Sequence, residues 1–308
     1  MDSAVERFVT HLMAAKNASP YTVRNYRREV GEALAYFQRD GARQWSDLDR
    51  GRLHRYLAWL VERGISRTSI ARRVSELRSF GAFLVANGLA GANPFAGLKS
   101  PQVPSRLPSV LSPAEAGVLV AAPPDDSPLG LRDRAILEVL YGGGLRVSEL
   151  VGLDVAHVSL AAKTVRVRGK GDRERVALLG DFALAALRRY LATGRPALAV
   201  AAAENGAPLF LNRRGARLTA RSVQRLLVRH AGALGLGEDV TPHTLRHTFA
   251  THLMDGGADL RVVQELLGHR KLATTQVYTH VSQSQLRASY LAAHPRSGRA
   301  EPGSPTDE

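Results

Sequence analysis

"TPHTLRHTFATHL", Thr241 to Leu253, writes a helix start and then loads that helix with three histidines and an arginine. Thr241 is the N-cap, and Pro242 takes the first helical position, where its missing N–H is no loss. Leu245, Phe249 and Leu253 recur at i, i+4 and i+8 and predict a buried stripe. His243 and Arg246 lie three apart on one face of the helix N-terminus, whose free N–H groups and positive dipole end suit an anion. His243 and His247 are four apart, a spacing that can bind zinc, but the metalloprotease pattern needs Glu where this chain has Thr244. The segment holds no carboxylate. Anion binding therefore ranks above a metal, and His247 and His252 read as packing or surface residues.

Bulk composition narrows the partners. The chain has 308 residues, 44% hydrophobic and 23% charged, an ordinary globular balance with room for about two domains. No apolar run reaches the length of a membrane span, so no membrane partner is expected. The opening MDSAVERFVTHLMAAKN lacks a basic stretch leading into an apolar one, so no secretory signal is expected, and the expected compartment is the cytoplasm. With no cysteine, disulfides, thiolate catalysis and Cys-based zinc sites are excluded. Lys and Arg number 42 against 28 Asp and Glu, a net +14 that points to a polyanionic partner, most often nucleic acid. A GC-rich genome that favours arginine codons yields the same excess, so charge alone does not decide.

Helical periodicity dominates the first hundred residues. A short helix over 3–15 precedes one capped by Ser19 with Pro20 first in the helix, along which Tyr26, Val30, Ala33, Leu34 and Phe37 share a face. Residues 49–63 repeat the pattern through Leu53, Tyr56, Leu57, Leu60 and Val61, and 67–87 through Ile70, Val74, Leu77, Phe80 and Leu84. Arg24, Arg27, Arg28, Arg67, Arg72, Arg73 and Arg78 fall between these faces. They predict a small bundle, residues 1–96, with basic exteriors, although any one of them taken singly reads as a solvated residue. Pro101, Pro104 and Pro108 make 97–110 an extended linker.

A capping box of Ser112 and Glu115, with Pro113 first in the helix, opens a second domain over 111–294. A helix over 131–141 turns Ile136, Val139 and Leu140 inward before Gly142, Gly143 and Gly144 break it. Another starts at Thr219, with Val223, Leu226, Leu227, Ala231 and Leu234 on one side. "KTVRVRGKGDRERVAL" is the clear β signal: Val165 and Val167 alternate with Arg166 and Arg168, a turn follows, and Val176 and Leu178 return. The class is mainly α with a small β-hairpin in the C-terminal domain. Residues 295–308 have the composition of disorder.

Three further stretches hold residues able to do chemistry. In GLRVSEL, Arg146 follows the glycine break and Glu149 lies one turn on, placed to hold the guanidinium while its other donors meet a phosphate. Alone, the pair reads as a surface ion pair. In RGKGDRER, Lys170 sits at a hairpin tip, either solvated, or entering a DNA groove, or donating a proton. In LLGHRKLATTQVYTH, a helix stops at Gly268, His269 follows, and Thr274 or Thr275 starts a short helix with Tyr278. Read as one site, two arginines neutralise a phosphodiester and the added charge of its transition state. A histidine and a lysine move protons. A tyrosine attacks and forms a phosphotyrosyl bond that conserves energy for rejoining. No metal or other cofactor is required.

With GLRVSEL, GKGDRER, HTLRH, LLGH and TTQVYTH in this order and spacing, the chain resembles the tyrosine recombinases of the lambda-integrase family, the Xer type in particular. Each motif alone is weak; the five in order are specific. SPYTVRNYRREV, SRTSIARRVSELRSF and NPFAGLKSPQVPSRLPSVLS resemble that family's core-binding domain and linker, so the likeness covers nearly the whole chain except the last dozen or so residues. The resemblance implies a helical core-binding domain and a catalytic domain that form a C-shaped clamp on a double-stranded DNA recombination site. It assigns the catalytic set to Arg146, Lys170, His243, Arg246, His269 and the nucleophile Tyr278, with Glu149 in support; Arg24, Arg27, Arg28, Arg72 and Arg73 are the expected DNA-binding arginines. By the same resemblance the catalytic arginines hold the scissile phosphate, Lys170 protonates the leaving 5′-hydroxyl, and His243 and His269 assist. It further implies a tetramer on two sites, with a paralogous recombinase in it, and strand exchange through a Holliday junction. The final helix, about 282–293, would pack on a neighbour. The compact layout resembles Xer proteins more than phage integrases, which implies resolution of chromosome and plasmid dimers at cell division with a DNA translocase as activator. Gly143 departs from the family pattern, where many relatives carry a bulkier residue.

Rival readings are a minimal integrase of a mobile element, a type IB topoisomerase-like relaxase working without a tetramer, and a DNA-binding relative without catalysis. All six catalytic positions are filled, which disfavours the last. A metal-dependent hydrolase built on the histidines is more distant.

Overall fold

A computed structural model describes residues 2–14, 20–102, 109–169, 174–199, 207–237, 239–268 and 282–298. The chain divides into two compact units, Met1–Arg106 and Leu107–Glu308. The first is a bundle of α1 (Asp2–Ala14), α2 (Pro20–Arg39), α3 (Arg50–Glu62) and α4 (Arg67–Ala86). Its core is the set of predicted stripes: Val30, Leu34, Phe37, Tyr56, Leu60, Val74, Leu77, Phe80 and Leu84 are all buried. Asp49 and Ser66 cap α3 and α4 by accepting from Arg52 N and Ser69 N. The expected cap Ser19 lies outside the described residues. Val61, expected inward, is 63% exposed. At 3.6 residues per turn it falls roughly 110° from the centre of the Leu53–Tyr56–Leu60 stripe.

The arginines of this unit divide in a way that the pattern did not show. Glu29 on α2 and Glu76 on α4 are buried. Arg72 spans them, with Nη1 donating to Glu29 Oε2 at 2.6 Å and Glu76 Oε1 at 2.8 Å, and Arg28 adds a bond to Glu29 at 2.8 Å. Burial, and then the neighbouring Glu29, push the Glu76 carboxyl upward. Arg73 is itself buried, paired with Glu32 at 2.8 Å, so it stands inside the bundle and not on its exterior. Inward carboxylates need cations beside them, and these arginines supply them. Arg24 and Arg27 are exposed, and Arg27 pairs with Glu6 at 2.8 Å.

The second unit runs α5 (Pro113–Ala121), α6 (Pro128–Gly142), α7 (Val147–Val151), β1 (Val158–Ser159), β2 (Thr164–Arg168), β3 (Glu174–Leu178), α8 (Asp181–Arg189), α9 (Arg195–Leu198), α10 (Ala220–Ala233), α11 (Pro242–Asp255), α12 (Leu260–Leu267) and α13 (Gln283–Ala293). The predicted caps Ser112, Thr219 and Thr241 all accept a backbone N–H. The helix expected over 131–141 is longer: Ser127 caps it and Pro128 is its first residue. It is central, packed by α5, α8 and α11, and every residue from Ala135 to Gly142 is buried. A helix buried on all sides has no amphipathic edge to mark its ends.

β1, β2 and β3 form an antiparallel sheet in that order. β1 is two residues long, too short to show a period. Val165 pairs with Ala177 and Val167 with Arg175. The inner residues of β3 are therefore Arg175 and Ala177, and Val176, expected inward, is 49% exposed. A one-residue shift of register exchanges the faces of a strand.

At the C-terminus, α13 packs on α11 and α12 of its own unit. Tyr290 is buried and its hydroxyl donates to Gly142 O at 2.9 Å. His294 stacks on Tyr290 with ring centres 5.3 Å apart. Arg296 pairs with the buried Glu138, Nε to Oε2 at 3.1 Å, and its guanidinium lies 3.9 Å over the Phe182 ring. One expectation changes here: 295–298 are packed and not disordered, because the buried Glu138 needs a cation beside it. Residues 299–308 lie outside the described residues. Among the described residues no helix is long and apolar enough to cross a membrane.

Candidate active site

The chain must reverse between α6 and α7. Gly144 does this at φ +55°, where a Cβ would lie 2.5 Å from the Phe249 ring, so both conformation and space demand glycine. Arg146 then stands at the N-cap of α7. Its backbone N–H donates to Glu149 Oε2 at 2.8 Å and its Nη1 to Oε1 at 2.8 Å. Arg246, one turn into α11, is buried; it donates to Gly144 O and, at 2.6 Å, to Leu267 O. Its Nη1 is 3.8 Å from Glu149 Oε2. Arg175, on the inner face of β3, donates to Glu149 Oε2 and to Leu266 O, each at 2.8 Å. Three guanidiniums thus surround one buried carboxylate.

The carbonyl acceptors come from a helix end. The last carbonyls of α12 have no helical partner. Gly268, left-handed at φ +65°, turns the chain away, as expected of a C′ glycine, and Arg175 and Arg246 occupy the open carbonyls. Further along α11, Thr248 Oγ1 accepts from Leu111 N at 3.1 Å. His252 is buried between Tyr141 Oη at 2.7 Å and Leu111 O at 2.9 Å. His252 is therefore a packing residue and His247 an exposed one, as read from the sequence.

Burial pushes the Arg246 guanidinium down to about 10, and the like charge of Arg146 adds to the effect. It remains a cation at neutral pH. Burial alone would push Glu149 up, but Arg175, the Arg146 N–H and the side-chain hydrogen bonds outweigh it and hold the carboxyl low. One carboxylate against three guanidiniums leaves a positive excess, and that excess reaches solvent through Arg146, whose side chain is 37% exposed. An anion placed there relieves the repulsion between the arginines. A phosphodiester, whose two non-bridging oxygens can each accept from a planar N–H fork, fits that chemistry.

Glu149→Gln is expected to destabilise the fold by about 3 kcal/mol, because it leaves three guanidiniums without a counter-charge. The folded carboxyl is depressed, so its contribution is complete above the ordinary carboxylate range and is lost as pH falls through the lowered value. The gap between the wild type and the variant in thermal unfolding should therefore close in acid. A gap that stays constant from neutral pH into acid would show that Glu149 supplies shape and not charge.

Of the sequence-predicted set, Arg146, Arg246 and Glu149 come together. His243 is exposed on the first turn of α11. Lys170, His269 and Tyr278 lie outside the described residues; Gly169 and Gly268, which directly precede two of them, are described. Arg175 was not anticipated. The only signal for it was the strand register, and the hydrophobic pattern pointed to the opposite face. Among the described residues no three histidine or acidic side chains gather as a metal-ligating group.

Known proteins share this sequence pattern and this fold. The pattern of the Phage integrase family matches residues 109–285, and that of the phage integrase N-terminal SAM-like domain matches 5–88. The chain belongs to the phage integrase family. Within that family it is 44% identical to tyrosine recombinase XerC of Pelotomaculum thermopropionicum over 300 residues, covering 95% of this chain and 98% of that one. It is 44% identical to tyrosine recombinase XerC of Azotobacter vinelandii, covering 97% and 98%. The solved lambda integrase dimer bound to a COC′ core site shares the fold, with a TM-score of 0.64 at 19% identity over 91% of this chain and 98% of that one. This phage integrase family member is a site-specific tyrosine recombinase, an enzyme that breaks and rejoins DNA strands.

Proposed function

We propose that Arg146 and Arg246 hold the scissile phosphodiester while the Tyr278 hydroxyl oxygen attacks its phosphorus. The P–O5′ bond breaks, the 3′ end stays on the tyrosine, and Lys170 gives its proton to the leaving 5′ oxygen. His243 and His269 assist through the phosphate oxygens and take up the proton that the Tyr278 hydroxyl loses as its oxygen bonds to phosphorus. Reversal of the same step by another strand's 5′-hydroxyl rejoins the DNA. Residues 1–96 act as the core-binding domain, 97–110 as a linker and 111–294 as the catalytic domain. The substrate is a recombination site on a chromosome or plasmid dimer, resolved in the cytoplasm at division by a tetramer that includes a paralogue and answers to a DNA translocase. The similarity to XerC recombinases over nearly the full chain supports this role.

The chemical part is supported above all by the convergence of Arg146 and Arg246 on Glu149, which fixes two cations where one is buried and the other open. The test is a nicked suicide DNA bearing a candidate recombination site from the same chromosome, incubated with excess chelator and run on a denaturing gel. A covalent protein–DNA adduct that is indifferent to the chelator is expected. Intact DNA binding without any adduct, even after the paralogue is added, would reduce the protein to a DNA-binding relative; an adduct lost on chelation would return metal chemistry.

A further inference from the structure

Arg175 occupies an inward slot of an amphipathic strand, opposite Val167, where an apolar residue is the ordinary choice. Its side chain is 14% exposed. Burying a guanidinium is unfavourable unless its donors are met, and here Nε is buried without a partner among the described residues. A leucine or methionine would fill that slot without an unmet donor. The two donors that are satisfied explain what the arginine adds. Nη2 meets Glu149 Oε2, the same oxygen that lies 3.8 Å from Arg246, and Nη1 meets Leu266 O, one carbonyl before the one that Arg246 holds. Arg175 and Arg246 thus grip adjacent carbonyls of α12 and share one carboxylate, while the other oxygen of that carboxylate holds the Arg146 side chain. Even Gly268 conforms to Arg175, since a Cβ there would lie 2.8 Å from Arg175 Cδ.

We propose that Arg175 is a positioning residue for strand cleavage. It ties β3, α7 and the carbonyl end of α12 together and so sets the separation of the two phosphate-holding guanidiniums. This rests on the reading that Arg146 and Arg246 hold the scissile phosphate. Arg175 need not touch the DNA to act in this way.

The test uses the full-length protein at saturating concentration on suicide DNA, and reads the first-order rate of adduct formation. Two scissile groups are compared: the ordinary phosphodiester and a methylphosphonate, which is neutral and needs less cationic help. Arg175→Met should cleave the phosphodiester about 100-fold slower, with DNA affinity within about threefold of the wild type. On the methylphosphonate its deficit should shrink to under about tenfold, because the charge that the arginines must meet is gone. Arg175→Lys keeps the charge but loses the two-pronged fork, so it should fold and show a smaller deficit with the same dependence on substrate. It serves as the test if the Met variant is unfolded. A variant that cleaves at the wild-type rate, or that is slowed equally on both substrates, overturns the proposal, since packing support alone would not distinguish the two phosphorus groups. Arg246→Met on the same substrates is the reference. If that variant gains nothing from the methylphosphonate, the phosphate reading itself has failed, and the role of Arg175 fails with it.

Discussion

Tyr278→Phe is expected to abolish the covalent adduct, a loss of at least about 10⁴-fold in cleavage, while DNA affinity stays within about twofold. The change removes one oxygen and keeps the ring, so it separates nucleophilic attack from binding. Structure sharpens the expectation by elimination. The chain has eight tyrosines, and four belong to the second unit: Tyr141, Tyr190, Tyr278 and Tyr290. Three of them are spent on packing. The Tyr141 hydroxyl meets His252 at 2.7 Å, Tyr190 Oη accepts from Leu211 N at 3.2 Å, and the Tyr290 hydroxyl donates to Gly142 O at 2.9 Å. Burial pushes all three phenols upward, away from the phenolate that attacks phosphorus. An adduct that persists in Tyr278→Phe would move the nucleophile elsewhere and sink the assignment.

Arg246→Met should carry the second largest loss, about 10³-fold in adduct formation at saturating protein, together with a destabilisation of about 2 kcal/mol. Two effects combine in it. The first is chemical: a charge held in a buried site, where solvent screens it little, is withdrawn from the transition state. The second is structural: Gly144 O and Leu267 O lose their donor, and both are backbone carbonyls at points where the chain turns. Thermal unfolding reads the second effect and the cleavage rate at saturating protein reads the first. A variant that loses stability but cleaves within tenfold of the wild type would leave Arg246 as a brace and not a phosphate ligand.

Much of the bundle and most of the helices were legible because their signals are local. A cap acts within one turn, as Ser112, Thr219 and Thr241 do, and a stripe repeats every three or four residues, as from Leu53 to Leu60. The motif order identified the family, and the sequence placed Arg146 beside Glu149 because they are one helical turn apart. His247 and His252 were read as packing or surface residues, and the structure makes the first exposed and the second buried.

What stayed hidden depends on residues that are far apart in the chain. The register that turns Arg175 inward is set by the pairing of β2 with β3, and Arg175 meets Glu149 across 26 positions. Arg246 reaches Gly144 across 102 positions, and Arg296 reaches Glu138 across 158. Arg73 looked like a surface charge until α2 brought Glu32 beside it. By itself, then, the sequence determined most of the elements, several of their caps and the motifs that mark the family, because each is written within a turn or a short motif. Only the tertiary structure decided which cations face inward, and it did so for a physical reason. A buried carboxylate must be met by a cation wherever the fold brings one near, and that choice is made in space and not along the chain.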